Sequence, residues 1–339
     1  MGRLRVAVIM GGRSSEHDIS VASARSVLES LDPDRYDVRS VEIGRDGKWE
    51  LPRAGRRQLG RAADEKVPVP LNGSPQPFEG VDVVFPVLHG PFGEDGTVQG
   101  FLELAGVAYV GAGVTASALC MDKDLFKAVM RDKGIPVVDS VTVLERHRHR
   151  AENPFGYPVV VKPARLGSSV GISIVRRPDE LDAAVGVALE HDEKVLIEQY
   201  CSGVEVECSV LGNDEPIASI PGEIVPLVSD WYDYRAKYDE GGMDLIVPPR
   251  LDEWTIARVQ ELAVAAFVAS DCEGMARVDF FVREDGEVLV NELNTIPGFT
   301  ATSVYAKLFE ASGIPYRELL DRLVDLALER NERRARLKY

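Results

Sequence analysis

A chain of 339 residues exceeds the size at which one hydrophobic core keeps growing, so two or three domains are expected. With 45% hydrophobic and 28% charged residues it has the composition of a soluble globular protein, and its net charge of −16 excludes a general partnership with nucleic acid or acidic membrane, because such a surface repels phosphates. Any phosphate it binds needs a local cationic pocket or a metal. Cys120, Cys201, Cys208 and Cys272 have neither zinc-site nor disulfide-framework spacing, which fits a reducing compartment. The first apolar run, Val6 to Met10, is too short for a signal or membrane helix and reads as a strand, so a cytoplasmic protein is expected.

The first third alternates "RVAVIM", the periodic "SVASARSVLESL", "YDVRSVEI", "VDVVFPVLHG", "GTVQGFLELAG" and "VAYVG". Strands alternating with helices predict an α/β unit with a mostly parallel sheet and binding groups at the carboxyl ends of the strands. Residues 45 to 80, rich in Gly, Pro and Arg, read as a long surface excursion. In "GGRSSEHDIS" the pattern Ser15-x-x-Asp18 reads as a helix cap. A second segment opens with one helix over "SALCMDKDLFKAVMRDKGIPV", ended by "KGIP". Strands "YPVVVKPA", "VGISIV" and "KVLIEQY" follow around the helix "PDELDAAVGVALEH". The third segment has strands at "VECSVLG" and "IASIPGEIV", a loop "SDWYDYRAKYDEGG" and the helix "LDEWTIARVQELAVAAFVAS". A hairpin and the helix "PYRELLDRLVDLALER" complete it, and "NERRARLKY" reads as a frayed basic end.

"VGAGVTASA" has the spacing of a dinucleotide fingerprint but follows a late strand, so it reads as a strand-to-helix turn. "VVVKPARLGSSVG" is more specific. Lys162 lies inside an apolar strand, and a Gly167-Ser168-Ser169-x-Gly171 loop follows, suited to covering a triphosphate as a kinase-type glycine-rich loop does. His89 stands at a strand's carboxyl end, where a ligand would bind; the "HRHR" run around His147 reads as a solvated loop.

"ARVDFFVREDGEVLVNELNTIPG" carries the strongest physical argument. Asp285-Gly286 favours a two-residue hairpin turn, which sets Glu284 opposite Glu287, Asp279 opposite Glu292 and Arg277 opposite Asn294. Alternation then projects Arg277, Asp279, Glu292 and Asn294 from one face, and Val278, Phe280, Leu289 and Leu293 from the other. Like charges directly opposite each other repel, so Asp279 and Glu292 call for a cation. Two carboxylates and an amide suit Mg²⁺ carrying nucleotide phosphates.

Taken in order, "GGRSSEHDIS", "HGPFGEDGTVQG", "MDK", "KPARLGSSVG", "YDYRAKY", "RVDFF" and "NELNTIPGFTATS" resemble the ATP-grasp fold and, within it, the D-alanine–D-alanine ligases. The resemblance implies three domains: 1–118, Rossmann-like; 119–208, central ATP-grasp; and 209–339, C-terminal ATP-grasp with the metal site and a lid loop. It implies ATP held by Lys123, Lys162 and Lys237 and covered by Ser168 and Ser169. The adenine would lie along Glu198, Gln199 and Tyr200, with Glu205 on the ribose. Asp279, Glu292 and Asn294 would hold two Mg²⁺ ions, replaceable by Mn²⁺.

On this resemblance Glu16 receives the first substrate's ammonium and connects by hydrogen bonds to Ser168 and Tyr238, while His89 positions that amino acid. Ser303 and Lys237 take the second carboxylate, and Arg277 and the Gly298 N–H stabilise the oxyanion. The implied reaction joins two D-alanines through an acyl phosphate in a homodimeric enzyme serving cell-wall precursor synthesis. The alternatives are a D-alanine–D-lactate or D-alanine–D-serine ligase, with Tyr238 favouring D-alanine over D-lactate as the acceptor. A non-catalytic ATP sensor on the same scaffold is an alternative of another class.

Overall fold

The structure, a computed structural model, describes residues 2–52, 66–69, 78–227 and 242–338. The chain begins with β1 (Leu4–Gly11), α1 (His17–Ser30), β2 (Tyr36–Ile43), β3 (Trp49–Pro52), β4 (Lys66–Val69), β5 (Val83–Pro86), α2 (Thr97–Ala105) and β6 (Ala108–Tyr109), whose six strands form the first sheet. The strand order is β4-β3-β2-β1-β5-β6, parallel from β2 through β6 and antiparallel at β3 and β4.

From Val6 to Met10 β1 is apolar without interruption because both its faces are covered. Val6, Val8 and Met10 pack with Ala24 and Val27 on one side, and Ala7 and Ile9 with Val98 and Leu102 on the other. Two expectations need correction here. Part of the stretch read as a surface excursion extends the sheet as β3 and β4. The Ser15-x-x-Asp18 cap does not form: Glu16 is the N-cap of α1 without a side-chain cap bond, and Asp18 pairs with Arg45 at 2.8 Å.

The chain continues through α3 (Val114–Met121), α4 (Lys123–Asp132), β7 (Ser140–Leu144), β8 (Val159–Pro163), β9 (Ser173–Val175), α5 (Leu181–Leu189) and β10 (Lys194–Gln199). These strands form an antiparallel sheet in the order β7-β10-β8-β9. The helix expected over "SALCMDKDLFKAVMRDK" is two helices. Asp122 is extended between them, and its carboxylate accepts the Leu125 N–H at 3.2 Å as an N-cap.

The third sheet comprises β11 (Val204–Gly212), β12 (Ile217–Ala218), β13 (Gly222–Pro226), β14 (Met243–Ile246), β15 (Gly274–Val282) and β16 (Val288–Asn294). Its order is β14-β13-β11-β15-β16, with β12 on β11, so "IASIPGEIV" is two strands. The helices are α6 (Glu253–Ala269), α7 (Val304–Ala311) and α8 (Tyr316–Ala335). α8 returns to the first sheet, where Leu319, Leu323 and Val324 join Val6 and Val8 in one core. The "NERRARLKY" end is therefore not frayed at its start: α8 runs to Ala335, Arg333 pairs with Asp214 at 3.0 Å and with Glu273, and Arg334 pairs with Glu103. The expected boundaries at 118/119 and 208/209 fall inside α3 and β11.

In the β15–β16 hairpin two irregularities offset each other. Gly286, at φ +85°, donates to the Arg283 carbonyl at 3.0 Å, and Arg283 donates to the Glu287 carbonyl at 2.9 Å. The connection is thus the three-residue loop Glu284-Asp285-Gly286, whose last position needs the left-handed region that glycine tolerates. Glu284 does not pair with Glu287. A bulge at Asn291 restores the register, so Asp279 lies opposite Glu292 and Arg277 opposite Asn294. Between loop and bulge the faces are exchanged: Leu289 sits opposite Phe281, on the polar face, and Val290 takes the core position opposite Phe280.

Candidate active site

The carboxyl end of β1 leads through Gly11 and Gly12 to Glu16, which is buried. Ser168, in the loop after β8, donates a hydrogen bond to the Glu16 carboxylate. Ser14 ties this turn to the next strand end by donating to the His89 carbonyl at 2.7 Å. The buried His89 ring places Nδ1 2.9 Å from the Ile296 carbonyl and Nε2 3.3 Å from Ser23 Oγ; burial pushes its pKa down. Gly90, at φ +72°, lies beneath Glu16: a Cβ there would be 2.5 Å from Glu16 Oε2. Ser168 and Ser169 both hold positive φ, +53° and +58°, a costly conformation for non-glycine residues that turns the loop toward Glu16.

Cations line the second sheet. Lys123, at the start of α4, donates to the Leu166 carbonyl at 2.9 Å and stands 3.3 Å from Glu292. Lys162 on β8 is 2.8 Å from Glu198 Oε2 on β10 and 3.2 Å from Asn291 Oδ1 in the bulge. Glu198 is also met by Lys127, 2.9 Å from Oε1. Burial would raise the Glu198 pKa, but Lys127 and Lys162 outweigh it and hold the carboxyl below its usual range.

On the third sheet, Arg277 grips Asp279 with Nε and Nη2, each at 2.7 Å, and its Nε lies 2.9 Å from Glu207. Asn294 donates to Asp279 Oδ2 at 3.0 Å. Among the described residues no group of three or more His, Cys, Asp or Glu side chains is arranged as a metal cage. The set Asp279, Glu292 and Asn294 nevertheless fits Mg²⁺, which takes one or two carboxylates and completes its shell with water and phosphate oxygens. In this structure Arg277 and Lys123 place positive charge against those two carboxylates, the charge the opposed pair requires.

Gln199 accepts from Arg283 at 3.1 Å, Tyr200 is partly exposed, and Glu205 lies on β11 opposite Phe281 and Ile224. Ser303 Oγ accepts the Thr300 N–H at 3.0 Å and would be 3.4 Å from a Cβ on Gly298. Lys237 and Tyr238 lie outside the described residues. The segment around His147 is a short exposed turn of 3₁₀-helix in which Arg148 pairs with Asp182.

Several neighbouring residues had escaped the sequence reading. Glu94 accepts the Gly90 N–H at 2.8 Å, and burial together with the charge of Glu16 pushes its pKa up to about 8. Lys127 shares with Lys123, Phe126 and Met130 the buried i, i+3, i+4, i+7 face of α4, a spacing legible in "KDLFKAVM". Glu207 follows Glu205 by two positions on β11 and was legible as its same-face neighbour. Asn291 was not, because the bulge that aims it at Lys162 depends on the strand's surroundings.

Family models described as D-ala D-ala ligase N-terminus and D-ala D-ala ligase C-terminus match residues 5–112 and 129–325. A D-alanine–D-alanine ligase of Chloroherpeton thalassium is 45% identical over 365 aligned residues, covering 99% of this chain and 100% of the relative. Among solved structures, the VanG D-Ala:D-Ser ligase from Enterococcus faecalis aligns with a TM-score of 0.85 at 38% identity, covering 96% of this chain and 100% of the other. The Bacillus anthracis D-alanine–D-alanine ligase complexed with ATP aligns with a TM-score of 0.77 at 28% identity, covering 98% and 99%. Together with the ATP-grasp arrangement of the two later sheets, these likenesses show that the chain belongs to the D-alanine–D-alanine ligase family.

Proposed function

We propose that this chain joins two D-alanines into D-alanyl-D-alanine at the expense of ATP, for peptidoglycan precursor synthesis. The first D-alanine's carboxylate takes the γ-phosphoryl group, giving D-alanyl phosphate and ADP. The second D-alanine's amine attacks the acyl carbon, and phosphate leaves as the peptide bond forms. The observation that carries this reading is the hydrogen bond from Ser168 to Glu16, which joins a carboxylate suited to an ammonium to the loop suited to a triphosphate.

In this reading ATP lies between the second and third sheets. Its adenine meets the backbone from Glu198 through Gln199 to Tyr200, its ribose Glu205, and its phosphates Lys123, Lys162 and Lys237 under Ser168 and Ser169. Glu16 holds the first ammonium, His89 orients that amino acid, and Ser303 and Lys237 take the second carboxylate. Arg277 and the Gly298 N–H stabilise the oxyanion formed when the amine adds. Asp279, Glu292 and Asn294 would hold two Mg²⁺ ions, or Mn²⁺ in their place, and the bound metal would supply positive charge against the phosphates. Tyr238 completes the hydrogen-bonded line from Glu16 through Ser168. The enzyme works in the cytoplasm as a homodimer, and no helix among the described residues is long and apolar enough to cross a membrane.

Incubation with ATP, Mg²⁺ and D-alanine is expected to yield ADP, phosphate and D-alanyl-D-alanine in equal amounts. ADP formation indifferent to D-alanine would refute the reading. The likeness to a D-Ala:D-Ser ligase favours D-serine as the alternative acceptor, and product identification with both amino acids present decides between them.

A further inference from the structure

The proposed nucleotide site rests on a buried triad with unequal charge. Lys127, Glu198 and Lys162 come from α4, β10 and β8, and their side chains are 0%, 4% and 6% exposed. Each Glu198 oxygen faces one ammonium, Oε1 at 2.9 Å from Lys127 and Oε2 at 2.8 Å from Lys162. Two cations and one anion leave an excess positive charge in a place largely shielded from bulk water. Lys127 spends its other contact on the Val138 carbonyl at 3.2 Å, and Lys162 on the neutral Asn291 amide.

Two roles for Lys127 have different consequences. As a filler of charge it would be redundant, because Lys162 alone already neutralises Glu198. A buried carboxylate that lost Lys162 to a phosphate would, however, be stranded without a partner, a heavy penalty in a low-dielectric interior. With Lys127 in place, Glu198 keeps a counter-ion whether or not Lys162 turns to the ligand. Burial pushes Lys127 down to about 8, against the pull of Glu198, which is the cost of holding a second ammonium there.

We propose that Lys127 is a positioning residue of the nucleotide site: by holding Glu198 it releases the Lys162 ammonium, and the triad's excess positive charge, to a nucleotide phosphate. This rests on the reading that Lys162 meets ATP phosphates. Lys127 itself touches no substrate. It acts through Glu198, and its effect falls on ATP affinity rather than on the chemical step.

The test is ATP binding by calorimetry on the full chain with Mg²⁺ and without D-alanine, paired with steady-state kinetics. Lys127→Met leaves Glu198 to claim Lys162 and is expected to weaken ATP binding about tenfold or more, with kcat at saturating ATP changed less than about threefold. Lys127→Met/Glu198→Gln removes both charges and is expected to recover most of that loss, because no carboxylate then competes for Lys162. A merely structural role predicts the opposite, since the second substitution would add to the damage.

Wild-type ATP affinity in Lys127→Met, or a double variant no tighter than the single one, overturns the proposal. If Lys127→Met does not fold, as judged by circular dichroism, the double variant is compared with Lys162→Met. Binding no better than in Lys162→Met overturns the proposal. Unchanged ATP affinity in Lys162→Met itself would instead refute the phosphate role of Lys162.

Discussion

Ser168 donates a hydrogen bond to Glu16 although the two stand 152 positions apart. The contact joins the first sheet to the loop of the second, so the proposed amino-acid and phosphate sites share a wall. Hydrogen bonds to charged groups contribute about 1.5 to 3 kcal/mol, so Ser168→Ala is expected to lower kcat/KM for D-alanine about 10- to 100-fold. Steady-state phosphate release measures it, and an unchanged kcat/KM would disconnect the contact from catalysis.

Gly90→Ala is expected to injure the same site from below. The new Cβ would sit 2.5 Å from Glu16 Oε2 on a backbone held at φ +72°. Either the carboxylate or the turn must move, and the KM for D-alanine is expected to rise about tenfold or more, from a misplaced ammonium partner. Titration with D-alanine at saturating ATP tests this; a wild-type KM would show that Glu16 does not meet the ammonium.

Asp279→Asn and Glu292→Gln keep the shape of the polar face and remove one charge each. If these carboxylates hold Mg²⁺, each variant is expected to lose about a hundredfold or more of its turnover, as the several kcal/mol supplied by a bound metal are lost. Excess Mg²⁺ should restore part of it, because affinity is reduced before geometry is lost. Turnover at wild-type Mg²⁺ demand in both variants would refute the metal assignment.

Glu94 gives a pH signature. Its folded-state pKa is about 8 against an ordinary 4.5, so between those values the folded chain binds the proton that the unfolded chain has released. The stability due to the raised pKa is full below about pH 4.5 and is lost as pH rises through the window to about 8. Glu94→Gln cannot ionise and escapes that loss. Its stability relative to wild type is expected to climb across the window and level off above it, in urea denaturation at stepped pH. A flat difference would place Glu94 in an ordinary solvated setting.

Much of this architecture was legible in the sequence because local rules carried it. The apolar run from Val6 to Met10 announced a strand, and a lysine within the apolar β8 marked Lys162. The facing of Asp279 and Glu292 also agreed with the reading from alternation, but for a partly different reason. The loop is one residue longer than the Asp-Gly turn implied, and the Asn291 bulge cancels the shift. Leu289 lies between the two irregularities and was assigned to the wrong face. The split of α3 from α4 was missed because a mid-helix aspartate declares itself a cap only when its backbone is extended.

The periodicities, the family motifs and the order of the chemistry-bearing residues are set along the chain, since each depends on near neighbours. Tertiary structure alone decided that Ser168 reaches Glu16, that α8 returns to the first sheet, and that Glu198 lies between Lys127 and Lys162. Those relations join separate elements, and their geometry follows from how sheets and helices bury one another. The opening "GGRSSEHDIS" carries both lessons. Its glycines mark the end of β1 from sequence, but Glu16 meets Ser168 only because the loop of the second sheet packs against the first.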